Sequence, residues 1–266
     1  MIDNKNKPFE FEWDKPDAFR IEKYCSTGYR THLHRNTEIY GVVDGTSHAV
    51  INDREYDLTN GQILTVSSLQ FHSYTVSKGT IVFYILLGET FIQNFNAVYP
   101  NRSLPEFLDN PQKNYPILQL VNELSPKSTD FDTFEKTGYS NILFHHIVSQ
   151  YGTQPAVEST DKRFVFQKII QYIYDNYAED LSLEQISQRF NYAPRTIGHM
   201  FNKYLNIDIR NFINNIRVEK VNIMKNDPAY RNEPIINLAL ACGFNSISSY
   251  YRACQKIATP PRIIQQ

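Results

Sequence analysis

The hydrophobic pattern changes period once along the chain, near residue 90, and that change fixes which layers each part can build. Between about residues 21 and 87, apolar and polar residues alternate in the short runs "HAVI", "YDL", "QILTV", "HSYTV" and "TIVFYILLG", with the turn signals "VDGT", "INDRE" and "LTNGQ" between them. A period of two with Asn- and Gly-bearing turns predicts an antiparallel sheet folded into a sandwich or barrel. Past residue 90 the apolar residues recur at helical spacing, in "PILQLVNEL" (116–124) and in "DTFEKTGYSNILFHHIVSQY" (132–151). Leu143, Ile147 and Tyr151 share one face of the latter, so these helices are expected to lie on the sheet or to pair with a partner. The adjacent His145 and His146 point about 100° apart on a helix and make a poor chelating pair.

"GTQPAVESTD" (152–161) combines Gly, Pro, Ser and Thr with little that packs, as a linker does. We therefore expect two domains, 1–155 and 162–266. Beyond the linker the pattern is helical throughout. Phe166, Ile169, Ile170, Ile173 and Tyr177 line one face of a first helix. In "LSLEQISQRF", Ser182 and Gln185 have the spacing of a reciprocal helix cap, and Pro194 suits the first turn of the next helix. A short helix, a turn and a second helix make a helix-turn-helix at about 181–205. The pattern recurs at about 234–257, where "EPIINLALACGF" stops at Gly243 and "NSISSYYRACQKI" follows. Between the two lies a stripe of Ile209, Phe212, Ile213, Ile216 and Ile223. A connector of about 17 residues is roughly 25 Å long. It could hold two recognition helices on successive major grooves, about 34 Å apart. Met200, Phe201, Tyr204, Phe244 and Tyr251 are expected in the core or between the motifs.

Charge agrees with this division. The net charge is -1, but residues 161–266 hold 14 Lys and Arg against 9 Asp and Glu, whereas 1–160 hold 13 against 19. The helical part alone is mildly basic, which permits a nucleic-acid partner without demanding one. The longest apolar run, "IVFYILL" (81–87), is too short to span a bilayer, and the polar N-terminus carries no leader-like core. Cys25, Cys242 and Cys254 are odd in number and far apart, so no disulfide framework is expected. A cytoplasmic protein with no membrane partner is the expectation.

Residues 164–264 resemble the DNA-binding domain of the AraC/XylS family of bacterial transcription regulators, through "NYAEDLSLEQIS", "APRTIGHMFNKYLNIDIRNFINNIRVEK" and "INLALACGFNSISSYYRACQKIATPP". The resemblance implies that Arg195, Thr196, Gly198 and His199 of one helix and Ile247, Ser248, Ser249 and Arg252 of another face an operator in double-stranded DNA. Arg195 and Arg252 are the best candidates for base or phosphate contacts, because a guanidinium offers guanine two parallel donors. Gly198 offers no side chain and weakens its helix by about 1 kcal/mol relative to Ala. The sequence departs from the family where Cys254-Gln255-Lys256 stands in place of Phe followed by two lysines.

The remaining motif lies in the strand-rich half. His32-Leu33-His34, then Glu38 and Gly45, resemble the first motif of the cupin barrel; Gly61 and His72 resemble the second, without its usual proline and closely placed glycine around Ser68 and Phe71. On a continuous strand, residues 32, 34, 38 and 40 would share one face, the barrel interior. The fold expected is thus α+β: a cupin-like antiparallel β-barrel with following helices, then an all-α domain with two helix-turn-helix motifs joined by a long helix. Three imidazoles and a carboxylate suit iron, manganese, nickel or zinc, so His32, His34, Glu38 and His72 are candidate ligands of a divalent metal. With Tyr40 and Tyr74 they are equally the candidate wall of an effector pocket for a sugar or another polar metabolite. The reading that follows is a regulator, an activator by family analogy, that binds a small molecule, forms a homodimer and recruits RNA polymerase. It needs no catalysis and no cofactor beyond that metal. The alternatives are a cupin metalloenzyme or metal sensor fused to a DNA-binding domain, and a regulator without a ligand.

Overall fold

The computed structural model describes residue 9 and residues 15–127, 129–156 and 161–258. The chain divides into two compact units, Met1–Glu158 and Ser159–Gln266.

The first unit runs β1 (Phe19–Cys25), β2 (Tyr29–His32), β3 (Thr37–Asp44), β4 (Ser47–Ile51), β5 (Arg54–Leu58), β6 (Ile63–Val66), β7 (His72–Val76), β8 (Ile81–Leu87), α1 (Glu89–Val98), β9 (Arg102–Ser103), β10 (Phe107–Leu108), α2 (Pro111–Leu124), α3 (Thr133–Tyr151) and β11 (Gln154–Pro155). One sheet has the order β1-β8-β3-β6-β10, a second β2-β7-β4-β5, and β11 pairs with β9. Alternation sorts the central strand β3 between two cores. Ile39 joins Ile63, Phe83 and Ile85 against Phe91, Ile117, Leu143 and Ile147 of the helices, while Tyr40 and Val42 join Ala49, Ile51, Leu58 and Tyr74 of the facing sheet. Each such side chain contributes about 1.5–3 kcal/mol by leaving water. The β3–β4 turn depends on Gly45: its φ is +98°, and a Cβ there would lie 2.5 Å from Thr80 Oγ1.

Of the two roles open to the stripe on α3, the structure shows the first: it lies on the sheet. Leu143 and Ile147 are fully buried in the unit's own core, and the Tyr151 hydroxyl donates to Asn114 Oδ1 at 2.9 Å. The helix expected from residue 116 begins at Pro111 instead, because the Asn110 side chain accepts from the Gln112 and Lys113 N–H groups. Pro116 is carried inside that helix at the loss of one backbone bond.

The second unit comprises α4 (Lys162–Asp175), α5 (Leu183–Phe190), α6 (Pro194–Leu205), α7 (Ile209–Asn226), a 3-10 turn (Pro228–Tyr230), α8 (Ile235–Ala241) and α9 (Ile247–Ala258). Ser182 and Gln185 form the reciprocal cap of α5, at 3.1 and 2.7 Å. α7 serves both halves. Phe212 near its start meets Phe201 of α6 at a ring separation of 5.2 Å, and Val218 and Val221 near its end enter the core of Leu238, Ala239, Phe244 and Tyr250.

Candidate functional site

The buried polar cluster of the barrel forms at the junction of its two sheets. The chain does not continue as one strand from His32 to Glu38: β2 ends at His32, residues 34–36 turn, and β3 starts at Thr37 in the other sheet. The parity expected from a single strand therefore does not apply. Instead, β2 pairs with β7 so that His32 lies opposite His72, His34 reaches in from the turn, and Glu38 reaches across from β3. The candidate ligand atoms of His32, His34, Glu38 and His72 all lie within 4.8 Å of one another. All four residues are buried, His72 completely.

Hydrogen bonds decide which nitrogens face inward. Nδ1 of His32, His34 and His72 meets the carbonyl oxygens of Arg30, Asn36 and Gln70 at 2.9, 3.0 and 2.8 Å. A carbonyl only accepts, so each Nδ1 carries the proton, and in each neutral ring the Nε2 lone pair turns toward the cluster. Glu38 Oε2 lies 3.1 Å from His34 Nε2 and 3.7 Å from His72 Nε2; the latter is buried without a hydrogen-bond partner. Its other oxygen, Oε1, accepts the Tyr74 hydroxyl at 2.7 Å. Lone pairs converging on a carboxylate repel unless a cation, either a proton or a metal ion, sits among them. The titration tendencies express the same balance. Burial, followed by His72 and His34, pushes His32 well below the ordinary histidine value. Burial alone would raise Glu38, but the neighbouring His34 and His72 outweigh it and hold the carboxyl well below the usual range. Burial and then Glu38 push Tyr74 well above its ordinary value.

The donor set fits a metal. Nitrogen and oxygen ligands about 2.0–2.2 Å from a central ion lie at most about 4.4 Å apart, so a contraction of a few tenths of an ångström would close this cluster around one. A cavity of about 110 Å³ adjoins it, lined by His32 and Glu38, by the expected Tyr40 and Tyr74, and also by Tyr24, Tyr29, Tyr84 and Leu86. His34 and His72 close the cluster from behind and do not line the cavity. Tyr24 and Tyr84 come from β1 and β8, which pair antiparallel. Alternation along each strand was visible in the sequence, but the pairing that turns both rings to this cavity was not.

In the helical unit, Arg195 and His199 are exposed on α6, with Thr196 and Gly198 half-buried beside them. Nothing lies within 4 Å of the Cβ position of Gly198, which leaves a notch in that face. On α9, Ser248 and Arg252 are exposed. Ile247 instead packs against the core, and the Ser249 hydroxyl is engaged in the helix start, donating to Ser246 O at 2.7 Å. Tyr251 corrects an expectation. It is 53% exposed while Tyr250 is buried, because the helical phase that buries Tyr250 and Ala253 turns residue 251 outward.

Sequence reasoning did not single out Arg217. It donates from Nε to Tyr177 O and from Nη2 to Glu179 O, both at 2.7 Å, and its guanidinium lies 5.9 Å from the Phe244 ring centroid. It thereby ties the segment after α4 to the second helix-turn-helix. Gly243 is the point of closest approach: its φ is +89°, and a Cβ would lie 2.8 Å from both Tyr177 O and Ala178 O.

Comparison with known proteins places this architecture in a class. Residues 18–128 match the family model described as an AraC-like ligand binding domain. The HTH-type transcriptional activator RhaS of Mannheimia succiniciproducens is 20% identical over 96% of this chain and 92% of its own length. RhaS of Pectobacterium carotovorum is 24% identical over 85% and 84%. The solved structure of ToxT from Vibrio cholerae aligns with 89% of this chain and 93% of its own at a TM-score of 0.42 and 16% identity. The match of residues 18–128 to an AraC-like ligand binding domain and the alignment with HTH-type activators along most of both chains support a transcription regulator of the AraC type.

Proposed function

We propose that this protein is a sequence-specific DNA-binding activator of transcription whose first unit senses a small molecule in the barrel. The observation that carries the reading is a buried polar cluster beside a tyrosine-lined cavity in one unit, joined in the same chain to two helix-turn-helix motifs with exposed arginines. Arg195, Thr196 and His199 on α6 and Ser248 and Arg252 on α9 present donors to base edges and phosphates, while Gly198 admits a close backbone approach. Ile247 and Ser249 support the second helix rather than extend toward DNA. His32, His34, Glu38, Tyr40, His72 and Tyr74 form the sensing site. Its occupant influences DNA binding only by favouring one arrangement of the chain over another. This reading needs no catalysis, and it accords with relatives named transcriptional activators. Dimerisation would use a face other than Leu143 and Ile147, and sedimentation of the purified chain tests it. Anisotropy titration of the full chain on operator fragments recovered from genomic DNA tests the function: saturable binding that outcompetes bulk DNA is expected, and binding indistinguishable from bulk DNA would overturn the reading.

A specific observation favours a metal within that sensor. Three imidazoles and one carboxylate converge within 4.8 Å of one another, and His72 Nε2 is buried with no hydrogen-bond partner. A divalent ion would be held by the Nε2 atoms of His32, His34 and His72 and by Glu38 Oε2, with Tyr74 steadying Oε1. It would supply a Lewis-acidic contact for an oxygen donor on the effector. One equivalent of zinc, iron, manganese or nickel per chain in protein purified without chelator is the expected result. Its absence after reconstitution with each ion would remove the metal from the reading and leave the protonated cluster as the sensor wall.

A further inference from the structure

The geometry points to a chemical class for the effector: we infer that the barrel takes a small planar molecule bearing an acidic oxygen, which binds the metal through that oxygen and lays its ring against the tyrosines. The inference rests on the metal reading above and adds the open side of the cluster to it. His34 and His72 wall off one side, whereas His32 and Glu38 line the cavity, so the cavity is where a fifth donor would approach. Three of its five tyrosine hydroxyls are already committed. The hydroxyl of Tyr74 donates to Glu38 Oε1 and that of Tyr84 to Glu22 Oε2, both at 2.7 Å, and the Tyr40 hydroxyl pairs with Ser47 Oγ at 2.8 Å. What these residues offer a guest is ring surface.

The rings are arranged to provide it. Tyr40 and Tyr74 stack at 3.7 Å with 9° between their planes, Tyr24 and Tyr84 meet edge to face at 6.0 Å, and the Tyr29 ring lies 4.4 Å from that of His32. No Lys or Arg is among the residues lining the cavity, so a phosphorylated or otherwise polyanionic guest would have no counter-charge except the metal. A sugar would find the hydroxyls of Tyr40, Tyr74 and Tyr84 already bonded. Size sets a further limit, because the cavity's roughly 110 Å³ is below the ~150 Å³ of an apolar cavity that admits benzene. A ring of benzene's size therefore enters it only in part, with the remainder of the molecule at its mouth. Aromatic side chains favour such a ring by their quadrupole and their area. A catechol-like or carboxylate-bearing ring meets each condition, with one acidic oxygen for the metal and one flat face for Tyr29 and Tyr40.

The test uses the full chain loaded with Co2+, whose visible absorption reports its coordination, and catechol as the probe. Bands of a histidine-rich Co2+ site should appear at one equivalent. Catechol should then shift them saturably at one per chain, whereas millimolar glucose and inorganic phosphate should not. Replacing Tyr29 with leucine should leave Co2+ affinity within about twofold and weaken catechol about three- to tenfold, while Tyr29→Phe, which keeps the ring, should bind catechol as the wild type does. Failure of Co2+ to bind would overturn the metal reading and this inference with it. Bound Co2+ whose spectrum ignores catechol, or answers equally to glucose or phosphate, would overturn this inference alone. So would a Tyr29→Leu variant that binds catechol unchanged.

Discussion

Replacing Glu38 with glutamine keeps the shape of the barrel cluster and removes its only negative charge. In metal-free protein the amide oxygen still accepts from Tyr74, now bonded at 2.7 Å, and the amide NH2 can donate to the inward lone pair of His34 Nε2, 3.1 Å from the carboxylate oxygen today. A hydrogen bond involving a charge, worth about 1.5–3 kcal/mol, gives way to a neutral one of about 0.5–1.5 kcal/mol. The cost of burying a carboxylate disappears at the same time. The net loss of stability in chelator should therefore stay under about 2 kcal/mol. Metal changes the comparison. At a free metal concentration 100 times its dissociation constant, the wild type gains about 2.7 kcal/mol by mass action. If losing the carboxylate weakens the site 100-fold, the variant at the same concentration gains only about 0.4 kcal/mol. Urea unfolding of both proteins, in EDTA and at that fixed free Zn2+, measures all four stabilities. Equal stabilisation by Zn2+ in wild type and variant would refute the assignment of Glu38 as a ligand. A loss well above 2 kcal/mol in EDTA would refute the isosteric reasoning.

Further outcomes follow from other residues. Gly243→Ala puts a side chain at φ +89° and 2.8 Å from two carbonyl oxygens; with about 1–3 kcal/mol of backbone strain and disturbance of the Arg217 bonds, it should destabilise the second unit by roughly 3–5 kcal/mol in denaturant titration, and a change under 1 kcal/mol would count against the close approach. Arg252→Ala should weaken operator binding by about 1–3 kcal/mol in anisotropy if Arg252 contacts a base, while an unchanged affinity would remove it from the interface. In EDTA, acid should destabilise the first unit through His32. Unfolded, it takes up a proton near the ordinary value of 6.5, whereas folded it resists until well below; its contribution is intact above 6.5 and is lost as the pH falls toward the folded value, by at most about 1.4 kcal/mol per pH unit. A His32→Gln variant with an equally steep acid limb would contradict that assignment.

Much of the fold was legible because local patterns and global packing agree. The alternation through residues 21–87 and the helical spacing after residue 90 set the elements, and Ser182, Gln185, Pro194 and Gly243 marked the helix boundaries of the second unit by chemistry that works locally. Those signals failed where strand pairing decides. The cupin-like motifs grouped His32, His34, Glu38 and His72, which do come together, but strand parity gave the wrong reason: the chain turns at residues 34–36, and His32 and Glu38 meet from different sheets. His72 joins them through its pairing with His32, and Tyr24 and Tyr84 reach the cavity through the pairing of β1 with β8, neither of which a single sequence displays. An apolar stripe likewise does not say what covers it: Leu143 and Ile147 cover their own barrel. On α9 the one-residue choice between Tyr250 and Tyr251 depends on helical phase against α7 and α8.

Selection of genomic fragments by the purified full chain, followed by sequencing, tests most directly whether this protein is an operator-reading regulator. The predicted result is a small set of fragments sharing two conserved segments about one helical turn, 10–10.5 base pairs, apart, whose enrichment collapses when Arg195 and Arg252 are both replaced by alanine. Recovery that follows fragment length alone, equal in wild type and double variant, would contradict it.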